Sequence, residues 1–312
     1  MRIEYHRTLI ADRVRNRAFH AALEAVIRPG ETTVADIGAG TGLIGLLAAK
    51  LGARSVYLYE CAEVARVAEA VIERNHATIC QLYPCHSTEM HTPPRADVVV
   101  SETLGNYPLE ENIIATMRDA RRRHLKPGGV LIPRRIAQFV APVVTARIHA
   151  ELTEWDRVGF GLDLGPARTM SLNNIYVRTL APSELLEGGG SAVIWDRIDF
   201  ALSPNARRKG EAKWKLRRPA VIYGFATWWT AELVPGVHIS TAPDAPKTHW
   251  EQLYFPLLAP IEGQPGETVA VRLNSRSSQE AGTLVAWTGL LLDKTGKLKA
   301  RQALDLDKGF LP

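Results

Sequence analysis

Along residues 32–132, short apolar runs alternate with longer segments whose apolar residues recur at helical spacing. Thr33–Asp36, Ser55–Glu60 and Ala96–Ser101 are runs of the first kind, as strands buried on both faces are. Between them, Gly42–Leu51 reads as a helix rich in Ala and Leu. Ala62–Asn75 reads as a second, with Val64, Val67, Ala68, Val71 and Ile72 on one face. Glu111–His124 predicts a third, whose basic last turn suits the helix dipole. Lys126–Gly129 reads as a turn before the strand Val130–Ile132. Strands separated by helices predict a right-handed, doubly wound parallel sheet.

At Pro133 the pattern changes. Ala137–Val144, Ala192–Ala201, Ala220–Thr230, Trp250–Pro256, Thr268–Arg272 and Thr283–Leu292 read as strands punctuated by Gly, Pro, Asn and Asp. They predict an antiparallel sheet or barrel. Glu151–Leu186 carries few strand signals and reads as a helical or irregular insertion. The expected class is α/β, with a doubly wound domain over residues 1–133. A barrel-like domain over 134–312 follows, with an arm at about 151–186.

Composition changes this picture little. Hydrophobic residues make up 46% and charged residues 23%, the balance of a soluble globular chain. No apolar run reaches the roughly 18 residues of a membrane helix, and the start, Met1–Arg7, lacks the apolar core of a secretory signal. Cys61, Cys80 and Cys85 are an odd set without metal-ligand spacing, which predicts free thiols, no metal and a cytoplasmic setting. The net charge is +5, and the densest basic segment is Arg207–Arg218. It reads as a solvated hairpin or an anion-binding surface; charge runs more often solvate a face, so nucleic acid is not an expected partner.

Two segments carry candidate chemistry. Asp36-Ile37-Gly38-Ala39-Gly40-Thr41-Gly42 leaves the first strand and opens a helix, and its glycines let backbone turn tightly against a ligand. The bland reading is an ordinary strand-to-helix turn. Glu60 sharpens it: this acid ends the second strand, 24 residues after Asp36, where a carboxylate can accept from a ribose diol. The turn lacks the Lys-Ser/Thr ending of a phosphate loop. The second segment is Ser101–Glu111, where Glu102 and Glu111 stand nine residues apart after an apolar strand. Both segments finish at the carboxyl edge of a parallel sheet, where ligands bind. A cofactor pocket facing two negative charges suits a cationic substrate. Glu111 has its own bland reading, a helix N-terminal acid stabilised by the dipole.

With these residues in place, the chain resembles the protein arginine methyltransferases over nearly its whole length. The resemblance implies a Rossmann-like domain that binds S-adenosylmethionine, with Asp36, Gly38, Gly40, Thr41, Gly42 and Glu60 at the cofactor. Glu102 and Glu111 match the family's paired glutamates, and Thr248-His249-Trp250 its Thr-His-Trp loop beside the acceptor. His6–Arg15 is similar to the cofactor-covering helix; Arg15 would then hold the cofactor carboxylate and Asp12 would pair with His249. Leu9 replaces a methionine common beside the acceptor. Glu89 is the candidate for the acid near the adenine, with Ser87 possible by spacing. Thr103-Leu104-Gly105-Asn106 departs from the family's Trp-Met-Gly-Tyr. The arm-like insertion implies a homodimer.

The expected reaction is methylation of a guanidino nitrogen. Glu102 and Glu111 would grip the group by bidentate hydrogen bonds, and His249 with Asp12 would carry off the proton. The expected acceptor is protein arginine or a small guanidine such as free arginine; a basic chain is ill suited to attracting Arg-rich tails, which makes the small guanidine a serious rival. The rival readings are methylation of a non-guanidine amine and a non-catalytic, cofactor-binding dimer partner.

Overall fold

The computed structural model describes residues 3–278 and 280–309. Two helices open the chain, α1 (Ile3–Ala11) and α2 (Arg13–Glu24), broken at Asp12. Asp12 takes extended backbone angles and its carboxylate caps α2. Strand and helix then alternate: β1 (Thr33–Ile37), α3 (Leu43–Lys50), β2 (Ser55–Tyr59), α4 (Ala65–Arg74), β3 (Cys80–Tyr83), β4 (Ala96–Ser101), α5 (Ile113–Arg123) and β5 (Leu125–Ile132). These strands form a five-stranded parallel sheet in the order β3-β2-β1-β4-β5. Val34, Val56, Val98, Val99 and Val100 are buried, as runs covered by helices on both faces must be.

The remainder is β6 (Arg135–Val143), α6 (Arg147–Leu152), α7 (Gly165–Leu172), β7 (Tyr176–Arg178), β8 (Val193–Asp199), β9 (Arg207–Lys215), β10 (Ala220–Val234), β11 (Val237–Ser240), β12 (Gln252–Gly263), β13 (Thr268–Ser278), β14 (Gly282–Leu292) and β15 (Leu298–Asp305). One antiparallel sheet runs β7-β12-β10-β6-β8, with β11 on β10; the other runs β15-β14-β13-β9. Among the described residues no hydrogen-bonded ladder closes them into a barrel. Where β9 passes β8 the approach is close, since a Cβ on Gly210 would stand 2.2 Å from the Trp195 carbonyl oxygen. One apolar cluster runs from Val34 and Val98 to Phe225, Trp229 and Trp287, so the two halves share a core.

Several elements differ from the sequence reading. Lys126–Gly129 lies inside β5, where a register shift against β4 absorbs Pro127-Gly128-Gly129. Arg207–Lys215 is no free hairpin but a strand paired along its length with β13; Ala212 and Trp214 face the core while Lys209, Lys213 and Lys215 face out. The insertion contains α7 and ends in β7, which pairs with β12. On α4, Val67 is 40% exposed, although it was expected on the buried face.

Candidate functional site

The register of the parallel sheet assembles the site. Ile37 pairs with Tyr59 on one side and Ser101 on the other. The residues that follow, Gly38, Glu60 and Glu102, therefore leave three adjacent strands at one edge. β1 and β4 lie where the strand order reverses, and the crevice outside that point is where such sheets bind ligands. A cavity of about 330 Å³ opens there. Gly38, Gly40, Thr41, Glu60, Glu102 and Glu111 line it, and α1 contributes Tyr5, His6 and Leu9.

Gly38, Gly40 and Gly42 have φ of +73°, +56° and +83°, a region L side chains avoid. A Cβ on Gly38 would come within 2.8 Å of the Thr103 methyl, and one on Gly40 within 3.3 Å of the His6 ring. Glu60 accepts from the Gly40 and Ala62 amides, each at 2.8 Å, which fixes its carboxylate on the cavity wall. His6 is buried and its Nε2 has no partner among the described residues. A glycine cradle, a fixed carboxylate and an unpartnered ring nitrogen fit an adenosyl group with its ribose diol.

Not every residue assigned to the cofactor lines this cavity. Asp36 lies beneath it, fully buried, accepting from the Gly45 amide at 2.8 Å and so tying α3 to β1. Burial raises its pKa to about 7. Gly42 turns the chain into α3 and is off the wall. Glu89 is exposed, and its carboxylate turns back to accept from the His86 amide at 3.2 Å. His86 and Ser87 take the wall instead. Tyr5 also lines the wall without a sequence motif to mark it, and His6 is marked only as the start of a helix. The available signal was helical spacing, since Tyr5 to Leu9 and His6 to Ile10 are i,i+4 pairs.

The two glutamates differ in their company. Glu102 is bound by the Arg15 guanidinium, through Nε at 2.6 Å and again through the terminal nitrogen. Arg15 thus meets a carboxylate supplied by the protein as well as lining the cavity. Glu111 is exposed and makes no hydrogen bond among the described residues. Partial desolvation in the crevice raises the proton affinity of both carboxyls, Glu111 included although its outer side meets solvent; Arg15 opposes this at Glu102, and Glu60 reinforces it at Glu111. A cation lodged beside them would reverse the shift. The neighbouring Glu110 folds back over Gly105 and accepts from the Tyr107 amide at 3.3 Å, so it is not on the wall.

The loop that carries both glutamates is fastened to the antiparallel half. Trp250 donates from Nε1 to the Leu104 carbonyl at 2.7 Å, and Trp229 to the Gly105 carbonyl at 3.0 Å. The Glu251 amide donates to the Asn106 side chain at 2.8 Å, and the Tyr107 hydroxyl to Ser275 at 2.6 Å. Trp250 is 3% exposed and holds the loop from behind rather than lining the cavity. Asp12 and His249 do meet: the His249 amide and its Nδ1 each stand 2.8 Å from one Asp12 oxygen, while the other oxygen caps Arg15. An ionised Asp12 makes Nδ1 the protonated nitrogen and leaves Nε2, which has no partner among the described residues, as the lone-pair site. Neither residue lines the cavity.

Residues 135–285 match the family described as the arginine methyltransferase oligomerization subdomain, and residues 20–154 match ribosomal protein L11 methyltransferase. The chain is 30% identical to the arginine N(omega)-methyltransferase of Streptomyces achromogenes subsp. streptozoticus, over 86% of this chain and 75% of that protein. It is 28% identical to protein arginine N-methyltransferase 6 of Xenopus laevis, over 80% of this chain and 77% of that protein. Among solved structures it resembles the Trypanosoma brucei PRMT1 enzyme-prozyme heterotetrameric complex with AdoHcy. That match has a TM-score of 0.83 at 20% identity and covers 96% of this chain and 97% of the other. Protein arginine methyltransferase 10 of Arabidopsis thaliana matches with a TM-score of 0.80 at 21% identity, covering 98% of each chain.

Proposed function

The chain belongs to the arginine N-methyltransferases, and from that premise we propose that Glu102 and Glu111 hold the acceptor guanidinium for transfer from S-adenosylmethionine. The observation that carries the assignment is electrostatic. The cavity wall holds three glutamates, at 60, 102 and 111, against one arginine, at 15. The chain as a whole carries +5. Two negative charges concentrated in one crevice of a basic protein select a cation there.

When bound at the glycine loop, S-adenosylmethionine supplies a methyl group on a sulfonium, whose sulfur keeps the S–C electron pair as the acceptor nitrogen forms the N–C bond. Gly38, Gly40 and Thr41 would cradle this group, Glu60 would accept from the ribose, and Arg15 would meet its carboxylate. A guanidinium is always charged, with delocalised lone pairs. Glu102 and Glu111, accepting hydrogen bonds from its nitrogens, fix its plane and concentrate positive charge on the nitrogens they hold. The remaining nitrogen becomes the better nucleophile, and much of the rate gain is positioning. The proton this nitrogen sheds after transfer passes to solvent at the open side of the crevice, where Glu111 is exposed. Asp12 and His249 act one step back, holding the junction of the helices that carry Leu9 and Arg15.

The acceptor we favour is a small guanidine such as free L-arginine. The positive charge of the chain disfavours Arg-rich tails, and the Streptomyces relative is named for arginine itself. Protein arginine is the second reading, because the Xenopus relative is named for it. The arm exposes Trp155, Phe160, Leu162 and Met170, an apolar surface that a second copy would cover. The thiols Cys61, Cys80 and Cys85 are unpaired, which supports a reducing, cytoplasmic setting. The test is incubation with methyl-labelled S-adenosylmethionine and, separately, L-arginine and an Arg-rich peptide. Label in L-arginine supports the favoured acceptor; label in the peptide alone establishes the second reading; label in neither overturns the guanidine clamp.

A further inference from the structure

The positive charge of the chain is not spread evenly. Where β9 ends and the chain turns into β10, Lys213, Lys215, Arg217 and Arg218 are exposed along one groove of about 820 Å³. Several other cations of the antiparallel half have a carboxylate each: Arg135 meets Asp199, Arg147 meets Glu184 and Arg208 meets Asp196. In the groove, Lys215, Arg217 and Arg218 have no acidic partner among the described residues, and Lys213 shares Glu211 with Arg272. Glu187 is the one acid on its wall among the described residues.

The walls are fixed. Leu216 is pinned through its backbone, its amide donating to the Glu267 carbonyl and its carbonyl accepting from the Gly266 amide, each at 2.8 Å. Its side chain is buried, as is that of Trp214, whose Nε1 donates to the Ser191 carbonyl at 2.7 Å and ties the strand to the opposite wall. On β10, Val221 and Tyr223 line the groove, and the Tyr223 hydroxyl makes no hydrogen bond among the described residues. An apolar floor thus lies under a rim of cations. None of these residues lines the cavity at the glycine loop.

A cleft lined by one sign of charge concentrates counter-ions. The planar fork of arginine matches phosphate bidentately, and lysine adds a point charge. Four cations suit a compact, multiply charged anion, and the floor accepts a flat or apolar body. A phosphorylated small molecule satisfies both, whereas a single carboxylate would leave most of the rim unmatched. A nucleic acid strand fits less well, because Glu211 interrupts the row of cations between Lys209 and Lys213.

We propose that this groove is a second ligand site, which takes a phosphorylated small molecule with its phosphate groups among the four cations and its body over Leu216, Val221 and Tyr223. The test is calorimetry on the full chain saturated with S-adenosylhomocysteine, so that an added nucleotide cannot enter the adenosyl cavity. The probes are ATP, inorganic tripolyphosphate and a short single-stranded DNA oligonucleotide. ATP binds more tightly than tripolyphosphate, because its body uses the floor. In Arg217→Gln/Arg218→Gln the Kd for ATP rises at least about tenfold, the scale of losing charge-assisted hydrogen bonds. Lys50→Gln/Arg74→Gln removes the same charge from exposed positions of the parallel half and leaves that Kd within about twofold of wild type. All four positions are exposed, so both double variants fold. Absence of ATP binding at millimolar concentration overturns the proposal. Equal weakening in the two double variants overturns it too, since that reports net charge alone. Tripolyphosphate bound as tightly as ATP would leave the floor without a role, and an oligonucleotide bound more tightly than ATP would give the groove to nucleic acid; either result overturns the proposal.

Discussion

Replacing Asp12 by Asn separates a holding role from a proton-transfer role. The Asp12 carboxylate takes three hydrogen bonds, from the Arg15 amide at 2.9 Å and from the His249 amide and ring at 2.8 Å each. Its side chain is 2% exposed. Asparagine keeps one oxygen for the α2 cap but turns an NH₂ group toward two His249 donors. A buried donor left unpaired costs about 1–3 kcal/mol, and that is the expected loss of stability. Alanine would also forfeit the cap, worth about 1 kcal/mol. The pH dependence has a definite sign. Burial alone would raise the Asp12 carboxyl, but the Arg15 amide and the His249 bonds outweigh it and hold it below the ordinary value. Its contribution is therefore present above the unfolded value of about 3.9 and is lost as pH falls through the lower folded value. Burial lowers His249, so the fold prefers it neutral, and that stability fades as pH falls below about 6.5. Because Asp12 raises His249 against its burial, losing the Asp12 charge lowers His249 further, so the gap between wild type and Asp12→Asn, followed by urea unfolding, should be widest at about pH 4–6 and narrow as Asp12 itself protonates. A variant as stable as wild type to within about 0.5 kcal/mol, yet slow in turnover, would refute the holding role and return Asp12 to the chemistry.

Two other outcomes are expected. Asp36, with a folded pKa of about 7, favours its protonated form in the fold, so its contribution is full below about pH 4 and is lost as pH rises to 7. Asp36→Asn keeps an acceptor for the Gly45 amide and should remove that slope; its advantage over wild type, read by urea unfolding at pH 5 and 8, grows with pH toward an upper bound of about 4 kcal/mol. Phe160, 93% exposed on the arm, contributes nothing to the monomer core. Phe160→Glu should shift sedimentation from dimer to monomer, and an unshifted profile contradicts the dimer reading.

The parallel half was the more legible in sequence because its signals are local. A Val-rich run such as Ala96–Ser101 carries its own identity, and the glycine turn and Glu60 mark strand ends by residue type alone. β3 escaped because Cys80–Tyr83 is a short, half-buried edge strand. β9 escaped because its lysines and arginines spoke louder than the alternating Ala212 and Trp214 that seat it. The candidate site was legible where register decides it. The strand ends that bring Gly38, Glu60 and Glu102 together follow from sheet order, and sheet order follows from strand–helix alternation. The rest depends on which way a side chain turns. Glu89 and Ser87 are two residues apart, and a short capping turn decided which of them faces the cavity. Trp250 and Trp229 hold the glutamate loop through indole N–H bonds to carbonyls far away in sequence, which no spacing rule reveals.

The most direct test of the clamp is methyl transfer to L-arginine by Glu111→Gln. Glu111 makes no hydrogen bond among the described residues and is exposed, so the substitution removes a charge from the cavity without unseating a partner. With S-adenosylmethionine affinity held within about threefold by calorimetry, the clamp predicts a fall in kcat/KM of roughly a hundredfold or more, the scale of losing one charge-assisted, bidentate contact at the reacting group. Transfer at the wild-type rate would contradict the claim that two carboxylates hold the acceptor.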